Sequence, residues 1–367
     1  MRAESADRGI LTINLDALAN NYRRLAREAP GSEVAGVVKA NGYGLGAREV
    51  AACLRTAGCR SFFVAHVQEG IALRDRLEDA RIFVLHGLAD GMEKDIADAR
   101  LIPLLNHPGE LQRYAALALT RGQRLPAALQ LDTGMCRLGF SPKEAAAIDR
   151  QDLDILQPVL VMSHLVSAEE ADDPLNEAQL ERFGQRHDVL RELPASLANS
   201  SGIFLGSPYH LDLCRPGVAL YGVNPTPGHK NPMEPVVTLS APVLQVHEIE
   251  EACTVGYNAT YEVPAGGRIA TLPVGYADGY LRAASGQAQA RIAGEIVPVA
   301  GRVSMDLITL DISSLPTGSV QPGCLADLIF GPDGVDQLAK AAGTIGYEVL
   351  TRLGTRFARR YTRSGPV

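Results

Sequence analysis

Val37-Val38-Lys39-Ala40-Asn41-Gly42-Tyr43-Gly44 closes an apolar run that begins at Val34, stops it at one lysine, and passes into a turn where two glycines flank a tyrosine. A run apolar on both faces is what a strand inside a parallel sheet requires. A lysine at its end is costly to bury unpaired. It is useful as a nucleophile, because partial burial lowers its pKa and a free amine condenses with an aldehyde as a Schiff base. Gly42 and Gly44 let backbone approach a ligand, and Tyr43 offers a hydroxyl to a phosphate.

Outward from this stretch the same unit recurs. Helical spacing at Leu18, Tyr22 and Leu25, with Asp16 as the expected N-cap, precedes Val34–Val38. Further apolar runs follow as SFFVAHV, RIFVLHG, LIPLL, LPAALQLD, PVLVMSHL, SLAN and HLDLCR, separated by helical patterns that include a Ser141-Pro142-Glu144 capping box and a long helix over 174–193. Eight such units over ~220 residues predict an α/β fold, a (β/α)8 TIM-type barrel over residues 1–235. An open doubly wound sheet is the rival. The strand ends decide between them. They carry Lys39, Leu85 with His86, Gln130, Asp132 and Arg137, His164, Asn199 with Ser200, and Arg215. Only a barrel gathers these at one mouth.

After Tyr221 the texture changes. NPTPGHKNP reads as a linker, and short Gly- and Pro-punctuated β segments follow, interrupted by one helix over 335–342. The expectation is a mainly-β C-terminal domain over 236–367, with the first ten or so residues of the chain free to pack against it.

The 367 residues carry a net charge of −7 and are 46% hydrophobic, which argues for a sizeable core and against a nucleic-acid surface or a polybasic membrane patch. No stretch approaches the ~18 apolar residues of a membrane helix, and the N-terminal residues lack a signal-type apolar core, so the expected location is the cytoplasm. Six cysteines are scattered without CxxC spacing or nearby histidine ligands, so no metal site is expected.

VVKANGYG, DTGMCRLG, SHL, ANSSG, RPGVALYG, VGYNATY, GYADG, GRVSMD and GYEV occur in this order along nearly the whole chain. Together they resemble the pyridoxal-phosphate-dependent alanine racemases. The resemblance implies that Lys39 holds pyridoxal 5′-phosphate and acts as one catalytic base, while Tyr257, from the partner subunit of a homodimer, is the other. Tyr43, Ser200, Gly217, Val218 and Tyr347 would hold the phosphate, Arg215 would face the pyridine nitrogen, and Leu85, His164 and Asn199 would surround the ring. Arg137 and Met305 would address the substrate carboxylate, with Tyr276 and Asp306 near the entrance. The implied reaction interconverts L- and D-alanine, for peptidoglycan precursors or alanine catabolism. It needs two bases on opposite faces of a substrate whose Cα–H the cofactor has acidified.

Two positions depart from the commonest family pattern. Gln130 stands where many relatives have a lysine that orients the substrate-binding arginine; its amide oxygen is expected to take that part without negative charge. Ser304 stands where cysteine is frequent. The alternatives are a broad-specificity or serine-preferring racemase, a decarboxylase on the same barrel, and a non-catalytic pyridoxal-phosphate-binding protein. Arg215 in place of an acidic partner opposes the second, and the β domain opposes the third.

Overall fold

In the computed structural model, which describes residues 7–363, a strand β1 (Ile10–Asn14) and a helix Leu15–Glu28 precede the barrel. Asn14, not Asp16, caps that helix: its side-chain oxygen accepts the N–H groups of Asp16 and Ala17 at 3.0 and 3.1 Å. Asp16 sits inside the first turn, where its charge suits the helix dipole.

The eight apolar runs become parallel strands. The first is split at Ala35 into β2 (Glu33–Val34) and β3 (Gly36–Val37). Then come β4 (Ser61–Val64), β5 (Arg81–Val84), β6 (Ile102–Leu105), β7 (Pro126–Gln130), β8 (Gln157–Met162), β9 (Ala195–Ser196) and β10 (Leu213–Cys214). Strands β3 to β9 are neighbours in chain order, and β10 pairs with β2. The Arg215 N–H donates to Ala198 O at 2.9 Å and the Ala35 N–H to Cys214 O at 2.9 Å, which carries the ladder across both remaining seams. The sheet is therefore closed, and each strand's C-terminal end opens on one mouth. Its interior is filled rather than hollow: Phe63 of β4 pairs in register with Phe83 of β5, their rings stacked 4.6 Å apart and both fully buried.

The helix expected over 174–193 is two helices, Pro174–Gly184 and Asp188–Arg191. The break follows Gly184, and the Arg186 guanidinium bridges it by donating to Phe183 O and Leu190 O.

The rest of the chain supplies β11 (Val237–Pro242), β12 (Gln245–Glu248), β13 (Cys253–Val255), β14 (Tyr261–Val263), β15 (Arg268–Leu272), β16 (Gln289–Ile292), β17 (Glu295–Pro298), β18 (Ile308–Asp311), β19 (Leu325–Ile329) and β20 (Ala358–Thr362). A six-stranded sheet runs β17-β16-β19-β11-β1-β20; a second runs β12-β15-β18, and β13 with β14 forms a hairpin. Strand β1 thus belongs to the β domain, antiparallel to β11 and parallel to β20. The expectation for the first ten or so residues falls mostly before this strand, and residues 1–6 lie outside the described part. Among the described residues two α-helices, not one, interrupt this domain: Gly334–Ala342, ended by Gly343 in the left-handed region, and Gly346–Arg352, too short for its periodicity to show. Among the described residues no helix is long and apolar enough to cross a membrane.

Candidate functional site

The chain leaves β3 in an unusual way. Ala40, Asn41, Gly42, Tyr43 and Gly44 have φ of 52°, 55°, 62°, 54° and 83°, so a left-handed turn follows Lys39 immediately. For Ala40 and Tyr43 this costs roughly 1–2 kcal/mol each, Asn41 tolerating it better, and several bonds hold it. Gly42 N–H reaches Val38 O at 2.9 Å, Gly44 N–H reaches Ala40 O at 2.8 Å, and Asn41 Oδ1 accepts the Ala47 N–H at 3.0 Å. Arg359 of β20 donates to Gly44 O at 2.9 Å. The turn swings Tyr43 inward, stacked on Tyr221 at 4.7 Å and tilted against Tyr347 at 6.2 Å. Tyr221 in turn donates its hydroxyl to Val37 O at 2.9 Å.

Lys39 lines a cavity of about 730 Å³ at the barrel mouth, together with Tyr43, Leu85, Arg137, His164, Asn199, Ser200, Arg215, Gly217, Val218 and Tyr347. Its amine is held below the ordinary lysine pKa, first by burial and then by the Arg137 charge, with Glu69 opposing.

One end of the cavity is a cradle of neutral donors. Ser200 Oγ accepts the N–H groups of Gly217 at 2.9 Å and Ala219 at 3.2 Å, which occupies both lone pairs and leaves its proton to donate. The Gly217 N–H is thus engaged by the serine, and the hydroxyl takes over as donor. The Tyr43 hydroxyl lies where a Cβ on Gly217 would come within 2.2 Å of it. Burial pushes the Tyr43 and Tyr347 hydroxyls above their usual pKa, so both stay protonated donors. Asn199 Oδ1 accepts the Gly202 N–H at 2.9 Å and so braces the turn behind Ser200.

In the wall, Arg215 is buried, with one side on the cavity. Its Nη1 donates to the Ser196 hydroxyl and its Nη2 to Ser163 O at 2.5 Å, with Leu197 O at 3.4 Å and His164 Nδ1 at 3.5 Å. Burial brings its pKa down to about 10, which leaves it charged at neutral pH. His164, half-buried beside this guanidinium, is driven down to about 3 by desolvation and by that charge, and is a neutral ring. Since Nδ1 faces a donor, its proton sits on Nε2.

Arg137 stands in an exposed loop over the cavity, in the segment after β7. Gln130 does not act on its guanidinium as expected. The Gln130 amide nitrogen donates to Leu138 O at 3.2 Å, and its backbone carbonyl accepts the Phe140 N–H at 2.8 Å. It braces the loop backbone that carries Arg137.

Tyr257, Tyr276, Met305 and Asp306 do not line this cavity. They gather on the β domain instead. Tyr276 N–H donates to Ser304 O at 3.0 Å and Ala277 N–H to Met305 O at 2.9 Å, while Arg356 ties Asp306 to Asp278 at 2.9 and 3.1 Å. The β13–β14 hairpin that bears Tyr257 packs through Val255 and Tyr261 on a cluster of Ile249, Val263, Ile269 and Ala300, and its Gly256 lies against Gly301 and Arg302. Tyr257 is 66% exposed and Met305 54%, large apolar groups on an open face.

Sequence reasoning passed over Ser163 and Ser196, which cage Arg215, and Tyr221, which carries Tyr43. Tyr221 had a signal in RPGVALYG. Ser163 had one in SHL. Ser196 had none, since a buried serine in a strand is ordinary. Among the described residues no group of three or more His, Cys, Asp or Glu is placed to hold a metal.

Against known proteins, the family description alanine racemase, N-terminal domain, matches residues 13–225, and alanine racemase, C-terminal domain, matches residues 236–361. An alanine racemase of Rhodospirillum rubrum is 50% identical over 366 residues, covering 98% of each chain. A catabolic alanine racemase of Mesorhizobium japonicum is 49% identical over 98% of this chain and 94% of its own. The crystal structure of alanine racemase from Bartonella henselae, with covalently bound pyridoxal phosphate, superposes with a TM-score of 0.91 at 37% identity, covering 97% of this chain and 99% of that one.

Proposed function

The chain belongs to the alanine racemase family, and from that premise we propose that it interconverts L-alanine and D-alanine with pyridoxal 5′-phosphate, Lys39 and Tyr257 serving as opposed bases. The residues present fit that cofactor. An amine of lowered pKa ends β3, a cradle that a Cβ would fill opens at Gly217, and a charged Arg215 without a carboxylate partner among the described residues is sealed into the wall. Their convergence on one cavity is the observation that carries the reading.

Lys39 would hold the aldehyde carbon, Tyr43, Ser200, Val218 and Tyr347 the phosphate over the open Cα of Gly217, and Arg215 the ring nitrogen, with Leu85, His164 and Asn199 around the ring. When bound, the cofactor supplies the electron sink that makes the Cα–H of alanine removable. Arg137 binds the substrate carboxylate as a donor fork and so fixes which way the Cα–H points. Lys39 Nζ, free once the substrate amine has taken its place and unprotonated to a greater extent than an exposed lysine, would take or return a proton on one face. Arg215 keeps its own proton and acts only as a hydrogen-bond donor.

The opposite face needs a second base. Tyr257 would reach it from the partner subunit of a two-fold dimer, with Met305 beside Arg137 and with Tyr276 and Asp306 along the entrance. What supports this is that all four sit together on an open face apart from the chain's own cavity.

The test has two steps. Wild-type protein should show a cofactor absorbance that Lys39→Ala abolishes, and should racemise L-alanine by chiral analysis. Lys39→Ala and Tyr257→Phe, each inactive, should regain activity when their subunits are exchanged, because a mixed dimer holds one site with both bases. Statistical mixing restores about a quarter of all sites. No recovery after verified exchange would place both bases in one chain.

A further inference from the structure

The left-handed turn after Lys39 has a partner outside the family of contacts described so far. Glu69, in the helix Val67–Leu73 that follows β4, accepts the Ala40 N–H on Oε1 at 2.7 Å. Its Oε2 accepts the N–H groups of Ala65 at 2.7 Å and His66 at 3.2 Å. One carboxylate therefore ties the end of its own strand to the end of the preceding one. The same device appears again two units on. Glu110, in the helix Pro108–Arg121 after β6, accepts the Asn106 N–H at 2.6 Å and, from the preceding unit, the Leu88 N–H at 3.2 Å. Both acids stand in a His-x-x-Glu segment, His66-Val67-Gln68-Glu69 and His107-Pro108-Gly109-Glu110. The two clamps differ in what they hold: Glu110 holds a plain loop, whereas Glu69 holds the first residue after Lys39.

We propose that Glu69 is a positioning residue for Lys39, fixing through the Ala40 N–H how the lysine leaves β3 and setting its negative charge against the amine. This rests on the reading of Lys39 as the reactive amine. The other groups that face this amine are Arg137 from the loop after β7, His86 after β5 and His164 after β8. Arg137 pushes the amine pKa down and Glu69 alone pushes it up, so removing the Glu69 charge must lower it further. A purely structural clamp would leave the titration alone.

The chain has five lysines, few enough to follow each by NMR after reductive methylation with 13C-formaldehyde, with Lys39→Ala as the assignment control. In the cofactor-free chain, Glu69→Gln should move the Lys39 midpoint down and speed Ala40 amide exchange by at least about tenfold, the loss of a charge-assisted bond. Glu69→Asp, which keeps the charge but is too short to bridge, should speed Ala40 exchange with a smaller midpoint change. Glu110→Gln should do neither. In the loaded enzyme Glu69→Gln should lower kcat on the order of tenfold with KM for alanine little changed, as expected for a displaced base beside an anchored substrate. An unmoved Lys39 midpoint in Glu69→Gln, or an equal shift in Glu110→Gln, overturns the proposal whether or not the wild type racemises alanine. If neither Glu69 variant folds, wild-type exchange decides: Ala40 exchanging as an open turn overturns it, and strand-like protection supports it.

Discussion

Replacing Gly217 by alanine probes the cradle without touching a charge. The backbone there has φ of −118°, outside the left-handed region, so the cost comes from space. An added Cβ would lie 2.2 Å from the Tyr43 hydroxyl and 2.9 Å from its Cζ, roughly an ångström inside ordinary contact. Tyr43 has nowhere to retreat, being stacked on Tyr221 and packed on Tyr347. Overpacking of this kind costs about 1–3 kcal/mol in stability. Displacing the hydroxyl also removes a donor to a charged phosphate, worth about 1.5–3 kcal/mol, or roughly 10- to 150-fold in pyridoxal-phosphate affinity. The assay is absorbance titration of cofactor-free protein, with urea midpoints alongside. The double variant Tyr43→Phe/Gly217→Ala relieves the closest contact but not the one at Cζ. It should regain part of the lost stability and none of the affinity. A Gly217→Ala protein that binds the cofactor within about twofold of wild type, at unchanged stability, would refute the reasoning.

His164 predicts an acid sensitivity. Its folded pKa, about 3, lies below the ordinary 6.5. Above pH 6.5 the ring is neutral in both states; as pH falls from 6.5 towards 3 the unfolded chain takes up a proton that the folded chain refuses. Stability of the cofactor-free chain should then fall by up to about 1.4 kcal/mol per pH unit from this group, and His164→Asn should flatten that slope in stepwise urea titrations. Gln130→Lys should raise KM for alanine more than it weakens cofactor binding, because Gln130 braces the Leu138 backbone beside Arg137; released cofactor with unchanged KM in steady-state and titration assays would contradict it.

The barrel was legible because its strands are buried on both faces, so apolar runs stand out against the helical patterns between them. The strand ends were legible as a set for the same reason: Lys39, His164 and Arg215 interrupt otherwise apolar stretches. Strand β1 was not. Its five residues pair with β11 and β20, more than two hundred residues away in sequence, and no local pattern carries that information. The helix Gly346–Arg352 was missed because seven residues give under two full turns of periodicity.

The site's least legible feature is the turn itself. Gly42 and Gly44 announce a permissive backbone, yet Ala40, Asn41 and Tyr43 adopt positive φ as well, against the preference of any residue with a Cβ. Local propensity alone predicts an ordinary turn there. What overrules it arrives from elsewhere in the chain: the Glu69 carboxylate on Ala40 N–H, the Arg359 guanidinium on Gly44 O, and the Tyr221 ring under Tyr43. Strain of this kind persists only where the surroundings over-determine it, which is also where a reactive side chain must be held still. The disagreement between local preference and observed backbone is then itself a pointer: it marks Lys39 more sharply than the lysine's place in the sequence does, and it directs mutagenesis to the distant residues that enforce the turn.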